Sequence, residues 1–222
     1  MKKSIYTLGI SCFYHDSSSV LLKNDEIISA SQEERFTRNK FENGFPINSI
    51  YDCLRTANLN SFSDIDNIAF YEEPLLKLDR IISNKTFYSK KSLFKNIRDI
   101  SNWIEKKFYV DKFIKKNLPG FDGTIEYFRH HLSHAASAFY PSPFEEATIV
   151  TLDGVGEWSC TSFGIGKKDN IKIINEQFYP NSIGFLYSTF TQFIGFKVDS
   201  GEYKLMGLAP YGVPKFRDLI FN

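Results

Sequence analysis

Two stretches far apart in the chain share one layout: strand, polar loop, strand, tight turn, strand. In the first, the apolar alternation of residues 4–12 runs through the loop FYHDS (13–17) into SSSVLL (17–22), the turn KND and EIISASQ (26–32). In the second, ATIVTLDG (147–154) opens into the loop DGVGE (153–157), followed by WSCTSFGIG (158–166), the turn KKDN and IKIINEQ (171–177). Short apolar runs bounded by turn residues read as strands. A repeated three-strand opening predicts two related α/β halves, each turning its first loop toward a shared cleft. The match lies in pattern rather than residue identity.

Between the blocks the pattern predicts a helix near 47–58, a strand at NIAFYE (67–72), a long helix near 91–117, a strand at TIEYF (124–128) and a helix from residue 130. After the second block, SIGFLYSTFTQFIG (182–195) reads as a buried amphipathic helix stopped by Gly195. The predicted division is a first subdomain at 1–146 and the start of a second at 147–222. That second copy has three strands and one helix, so the sequence reads as a truncated or split protein.

Three of the four histidines fall within residues 130–134. His130 and His134 stand four apart, which on a helix puts both rings on one face. Two imidazoles so spaced can share one metal ion. His131 points roughly 100° away and is the weaker candidate. Asp153 ends the next strand, where a parallel sheet would deliver functional residues to its carboxyl edge. Two histidines and a carboxylate leave open positions for water or substrate, as catalytic iron and zinc sites do. The competing reading is histidines on a surface helix or bonded into a core.

His15 lies beside Asp16 in the first loop. A loop histidine whose tautomer is fixed by a carboxylate can serve as a general base. The plainer alternative is a turn stabilised by the Asp16 and Ser17 side chains. SQEERFTRNK (31–40) reads as a solvated charged face, in which Arg35, Arg38 and Lys40 could hold phosphate oxygens. Glycines 201, 207 and 212 around Lys204 could admit a nucleotide to the backbone, although the spacing is not that of a P-loop.

Net charge is +1, so the chain as a whole is not an electrostatic nucleic-acid binder. The balance is uneven: residues 77–116 hold twelve Lys/Arg against four acids, and this basic stretch reads as a solvated helix rather than a lid. Trp103, Phe108 and Phe113 in it read as packing residues. Cys12, Cys53 and Cys160 form no CxxC, as suits a reducing cytoplasm. The start MKKSIYTLGISC mimics a lipoprotein signal, but its apolar run is short and carries Ser4, Thr7, Gly9 and Ser11, which argues against export. No stretch reaches the ~20 apolar residues of a membrane span.

Four segments together, GISCFYHDSSSVLL, SQEERFTRNKFENGFP, HHLSHAASAFYPSPFEEATIVTLDGVGEWS and SIGFLYSTFTQFIGFKVDSGEYKLMGLAPYG, resemble the O-carbamoyltransferases of nodulation-factor and antibiotic biosynthesis. They occur in that family's order and cover most of the chain outside 77–118. The resemblance implies an actin/sugar-kinase/heat-shock-ATPase-like (ribonuclease H-like) α/β fold, with the first subdomain complete, the second truncated, and a basic helical insertion at 77–118. It implies transfer of a carbamoyl group from carbamoyl adenylate to a hydroxyl of a small, sugar-like acceptor. The adenylate would come from carbamoyl phosphate and ATP in a synthase-like C-terminal domain, missing here and supplied in cis or in trans.

The resemblance further implies Fe(2+), or another divalent metal, on His130, His134 and Asp153, with another aspartate expected beyond residue 222. It makes His15 the base and places Lys40, Glu202 and Lys204 along the adenylate. The expected partners are thus small molecules, with no membrane, as the lack of an apolar span implies, and nucleic acid disfavoured by the net charge of +1. Two alternatives remain at this point: a non-catalytic split-gene subunit or fragment, and a tRNA threonylcarbamoyladenosine-type transferase, from which the loop DGVGE sets the chain apart.

Overall fold

The computed structural model describes residues 4–88 and 109–221. They form two units: the residues up to Pro141 together with Gly156–Trp158, and Ser142–Val155 together with the residues from Ser159 on.

In the first unit the opening triplet folds as an antiparallel meander of β1 (Tyr6–Ser11), β2 (Ser18–Lys23) and β3 (Glu26–Gln32). Asn24 takes the left-handed φ of 54° that the tight turn demands, a conformation Asn tolerates better than most residues. β4 (Asn67–Phe70) pairs parallel to β1, and β5 (Thr124–Tyr127) parallel to β4, giving the order β3-β2-β1-β4-β5. Gly9, which breaks the apolar run, lies in the central strand. A Cβ there would fall 2.7 Å from Val20 Cγ1, so glycine lets β1 and β2 pack.

Parallel pairing requires crossovers. The chain supplies α1 (Glu34–Thr37) and α2 (Ile47–Thr56) before β4, and α3 (Pro74–Tyr88) and α4 (Val110–Asn117) before β5. α5 (His130–Phe139) follows β5. Leu8, Ile10, Leu21, Ile68 and Phe70 from the strands close a core with Ile50 and Leu54 of α2 and Ile114 of α4. Each such side chain contributes ~1.5–3 kcal/mol on burial.

α3, starting at Pro74, was not legible in the sequence. Of the helix expected at 91–117, the last eight residues are α4; residues 89–108, with Trp103 and Phe108, lie outside the described residues. Phe113 packs edge-on to Phe13 and Phe45, at 5.2 and 5.5 Å between ring centroids, so it is a packing residue as read. Lys112, Lys115 and Lys116 face solvent while Val110 and Ile114 face the core.

The run 31–40 is not wholly a solvated face. Glu33 is buried, and its carboxylate accepts the backbone N–H of Asn48 (3.2 Å) and of Ser49 (2.8 Å) and the Asn48 side-chain amide (2.6 Å). It caps α2, whose own N-cap is Pro46 and makes no side-chain bond. Glu33→Ala strands these donors and is expected to lower stability by about 1–3 kcal/mol, read by denaturant unfolding. Arg35→Ala, on the exposed side of the same run, should change it by less than about 0.5 kcal/mol.

The second unit repeats the meander with β6 (Glu146–Leu152), β7 (Ser159–Lys167) and β8 (Asn170–Phe178), antiparallel throughout. Lys168 sits at φ 55° in the turn, as Asn24 does in the first copy. α6 (Ile183–Phe193), α7 (Glu202–Leu208) and α8 (Arg217–Phe221) follow. Ser182 caps α6 by accepting Phe185 N–H at 3.0 Å, and Gly195 at φ 95° ends it.

The expected burial of this helix does not hold. Ile183, Phe185, Leu186, Phe190 and Phe193 are exposed, and Thr191 is its buried residue. On the sheet, Val150, Leu152, Phe163 and Ile165 are exposed as well. An apolar face specifies that an element has a side to cover, not that its cover lies in the same stretch of chain. All three cysteines are buried and outside any disulfide. Among the described residues no helix is long and apolar enough to cross a membrane.

Candidate functional site

The carboxyl ends of β1, β4 and β5 lie at one edge of the five-stranded sheet, fixed by the parallel registers Ile10↔Phe70 and Phe70↔Tyr127. Three connections leave that edge: the loop 12–17, the segment Tyr71–Glu73 and the start of α5. The edge where parallel strands end is where open α/β sheets carry ligands.

On α5 the four-residue spacing does what helical geometry predicts. His130 Nε2 and His134 Nε2 stand 3.0 Å apart, with the rings perpendicular and their centroids separated by 4.5 Å. Two nitrogens bound at ~2.0–2.1 Å to one cation lie roughly 2.8–3.4 Å apart for angles between a right angle and the tetrahedral value. The pair therefore fits a shared divalent ion. His131 is buried on another side of the helix, in keeping with its weaker standing as a ligand. Tyr71 places its ring edge-on to His130 at 5.5 Å, and its carbonyl accepts from Ser133 Oγ at 3.1 Å, which binds α5 to the end of β4.

Tyr71 donates its hydroxyl to the Cys12 carbonyl at 3.2 Å. Burial, and after it the charge of Glu72, push its phenol far above the ordinary range, so it stays neutral. Next to it buried Glu72 and partly buried Lys77 form an ion pair, and the Lys77 ammonium lies 5.7 Å from the centre of the Tyr14 ring.

The His15 loop is both strained and braced. Phe13 and Asp16 adopt φ of 70° and 51°, which costs about 1–2 kcal/mol per non-glycine residue. The loop is held there because Phe13 N–H donates to Asn43 O (2.9 Å) and Ser17 N–H to Glu42 O (2.8 Å). His15 Nδ1 donates to Asp16 Oδ2 at 2.7 Å, and the Tyr14 ring lies tilted at 48° against the imidazole with centroids 4.5 Å apart. With Nδ1 so engaged, Nε2 is the basic atom. His15 is 53% exposed, which rules out a core histidine. Lys40 is exposed in the turn after α1, and the backbone bonds from Phe13 and Ser17 tie residues 42 and 43, just beyond it, to the His15 loop.

In the second unit Asp153 follows β6 directly, but the sheet it leaves is antiparallel rather than the parallel one expected, because β6, β7 and β8 are joined by short hairpin connections. Its backbone N–H donates to Cys160 O (2.9 Å), and its Oδ1 accepts Gly154 N–H (2.6 Å). Glu202, at the first turn of α7, accepts Ser188 Oγ (2.9 Å), Asp199 N–H (3.2 Å) and Gly201 N–H (3.2 Å). Burial alone would raise its pKa, but these donors outweigh it and hold the carboxyl below its ordinary value. Glu202 is thus tied into the turn that starts its own helix. Lys204 lies two residues on, its ammonium 5.8 Å from the centre of the Tyr203 ring.

Sequence reasoning passed over Glu157. It is buried, and its carboxylate accepts the backbone N–H of Glu73 at 2.8 Å and of His130 at 3.0 Å. The signal available was an acid directly after a glycine in DGVGE, a pattern too common to single out.

Comparison with known proteins places the chain in a family. A family model described as carbamoyltransferase N-terminus matches residues 6–222. The uncharacterized protein sll1178 of Synechocystis is 44% identical over 98% of the chain and 36% of its own length. The nodulation protein NolNO of Sinorhizobium fredii is 34% identical over 93% of the chain and 29% of its own length. The uncharacterized protein MJ1051 of Methanocaldococcus jannaschii is 32% identical over 92% of the chain and 33% of its own length. The chain therefore spans about a third of the length of these relatives.

Proposed function

This chain belongs to the carbamoyltransferase N-terminus family, and from that premise we propose that it carries the group-transfer part of an O-carbamoyltransferase. The donor is carbamoyl adenylate and the acceptor a hydroxyl of a small, sugar-like molecule. The observation that carries the reading is the family match over residues 6–222, together with the paired imidazoles of His130 and His134.

The fold we propose is the actin-like, ribonuclease H-like one, with a first subdomain at 1–146 and a second beginning at 147. Its support is the mixed order β3-β2-β1-β4-β5 and the second antiparallel meander. We assign the remaining polypeptide of the longer relatives, in cis or as a partner, to completing the second subdomain and making the adenylate from carbamoyl phosphate and ATP.

His130, His134 and Asp153 are the residues proposed to hold Fe(2+) or another divalent cation. Bound there, such an ion supplies Lewis-acid polarisation of the carbamoyl carbonyl. Lys40, Glu202 and Lys204 line the adenylate. His15 Nε2 takes the proton of the acceptor hydroxyl as its oxygen bonds to the carbamoyl carbon. The carbon–oxygen bond to the adenylate phosphate breaks, and AMP leaves with that oxygen. Asp16 holds the His15 tautomer and steadies the imidazolium that forms.

The test is to supply the protein and its synthase-like portion with carbamoyl phosphate, ATP and a panel of sugar and aminoglycoside acceptors. The expected result is AMP and a carbamate ester in equal amounts. AMP with no carbamate on any hydroxyl acceptor, or carbamoylation confined to tRNA, would overturn the assignment.

A further inference from the structure

α5 carries the paired imidazoles but does not cap itself. Its N-cap, Arg129, makes no side-chain capping bond to the helix, although the first N–H groups of any helix need an acceptor. The acceptor for His130 N–H comes from far along the chain: Glu157 takes it with Oε1 at 3.0 Å and Oε2 at 3.1 Å. The same Oε1 takes Glu73 N–H at 2.8 Å, just beyond β4. One buried carboxylate thus joins the segment after β4 to the first residue of the histidine helix, and its charge suits the positive end of the helix dipole. The residue before it makes the approach possible. A Cβ on Gly156 would lie 3.0 Å from His130 Cβ, 3.1 Å from His130 Cδ2 and 3.2 Å from His131 Cδ2. Gly156 lets the backbone press against both rings, and Glu157 then grips the amide of the first.

We propose that Glu157, admitted by Gly156, is a positioning residue for His130: it sets the start of α5 and so the direction from which the His130 ring meets a divalent cation shared with His134. This rests on the metal reading of the histidine pair. Outer groups that orient metal ligands are worth ~10–100-fold in affinity, and an anchor on the ligand's own amide belongs in that range. Gln fits the pocket and can keep one acceptor oxygen at the Oε1 position for both amides. Its NH₂ group, however, would then face the His130 N–H that Oε2 accepts.

The probe is Co²⁺, titrated into the purified protein well below its melting temperature and followed by ligand-field absorbance. Glu157→Ala is expected to weaken Co²⁺ binding by roughly 10–100-fold and to alter the band positions, while Glu157→Gln recovers most of the affinity. Gly156→Ala should weaken binding in the same direction, by pushing on the His130 ring without touching the carboxylate. Thermal melts of the metal-free variants separate folding from positioning, because a folded fraction near one with a weakened dissociation constant and shifted bands is not a stability effect. Glu157→Ala binding Co²⁺ as the wild type does, while His134→Ala does not, would overturn the inference and leave the metal reading standing. Wild type and His134→Ala binding alike would overturn the metal reading itself. If the alanine variant fails to fold, Gly156→Ala decides, since Glu157→Gln is expected near the wild type: unchanged affinity and spectra in Gly156→Ala refute the proposal.

Discussion

His134→Ala is expected to abolish together the divalent-cation binding and the carbamoyl transfer proposed for this chain. The two Nε2 atoms stand 3.0 Å apart on one helix face, so removing one leaves half of a chelating pair. Outer-shell changes alone weaken metal sites by ~10–100-fold, and loss of a ligating nitrogen should exceed the upper end of that range. Transfer should fall by roughly 10³-fold or more, the equivalent of several kcal/mol in the barrier. Metal content by mass spectrometry and AMP release in the presence of acceptor are the two readouts. His131 supplies the internal control. It is buried and is not one of the proposed ligands, so His131→Phe should lower the melting temperature while the folded fraction binds the proposed cation as the wild type does. Metal retained by His134→Ala at wild-type stoichiometry would remove the ligand assignment.

His15→Gln is expected to lower kcat by about 10²–10⁴-fold, the usual worth of a positioned base, with metal content and melting temperature unchanged. Glutamine can still donate to Asp16, so the turn survives while the proton acceptor does not. That separates the general-base reading from the plainer one, in which residues 15–17 only form a turn. The turn reading predicts little loss in His15→Gln and a larger one in Asp16→Ala, since Asp16 holds φ 51° and accepts from His15 Nδ1 at 2.7 Å. The base reading predicts the opposite ranking. Asp16→Asn should cost less than His15→Gln, because the tautomer loosens but the imidazole remains.

The reading of the sequence and the structure part company at identifiable residues. The histidine pair was legible because an interval of four on a helix is a local rule that needs no knowledge of the rest of the fold. Glu33 and Glu157 were not, although both are buried carboxylates that hold helix starts. Nothing in SQEER or DGVGE distinguishes an acid that will be enclosed from one left in water. Burial of a charge is decided by which donors converge on it, and those donors lie 16 and 27 residues away in sequence. α3 was hidden for a related reason: Pro74 marks a helix start only once the preceding strand has been seen to end at Phe70. The burial expected for α6 came from composition, and Phe185, Phe190 and Phe193 stand exposed along it.

Short intervals in the chain specify a good deal before any of it has folded. The alternation of each strand triplet, the turns at Asn24 and Lys168, the shared face of His130 and His134, and the blocks that mark the family are each written within a few tens of residues or fewer. Which charges leave water, and which backbone amides they secure, was settled by long-range packing alone. That packing set Tyr71 against His130, braced the strained loop of His15 on Glu42 and Asn43, and delivered Glu157 to the start of the histidine helix. The difference is one of reach. Backbone geometry repeats over three or four residues and is encoded locally, whereas a buried hydrogen bond needs two groups that meet only after the chain between them has folded.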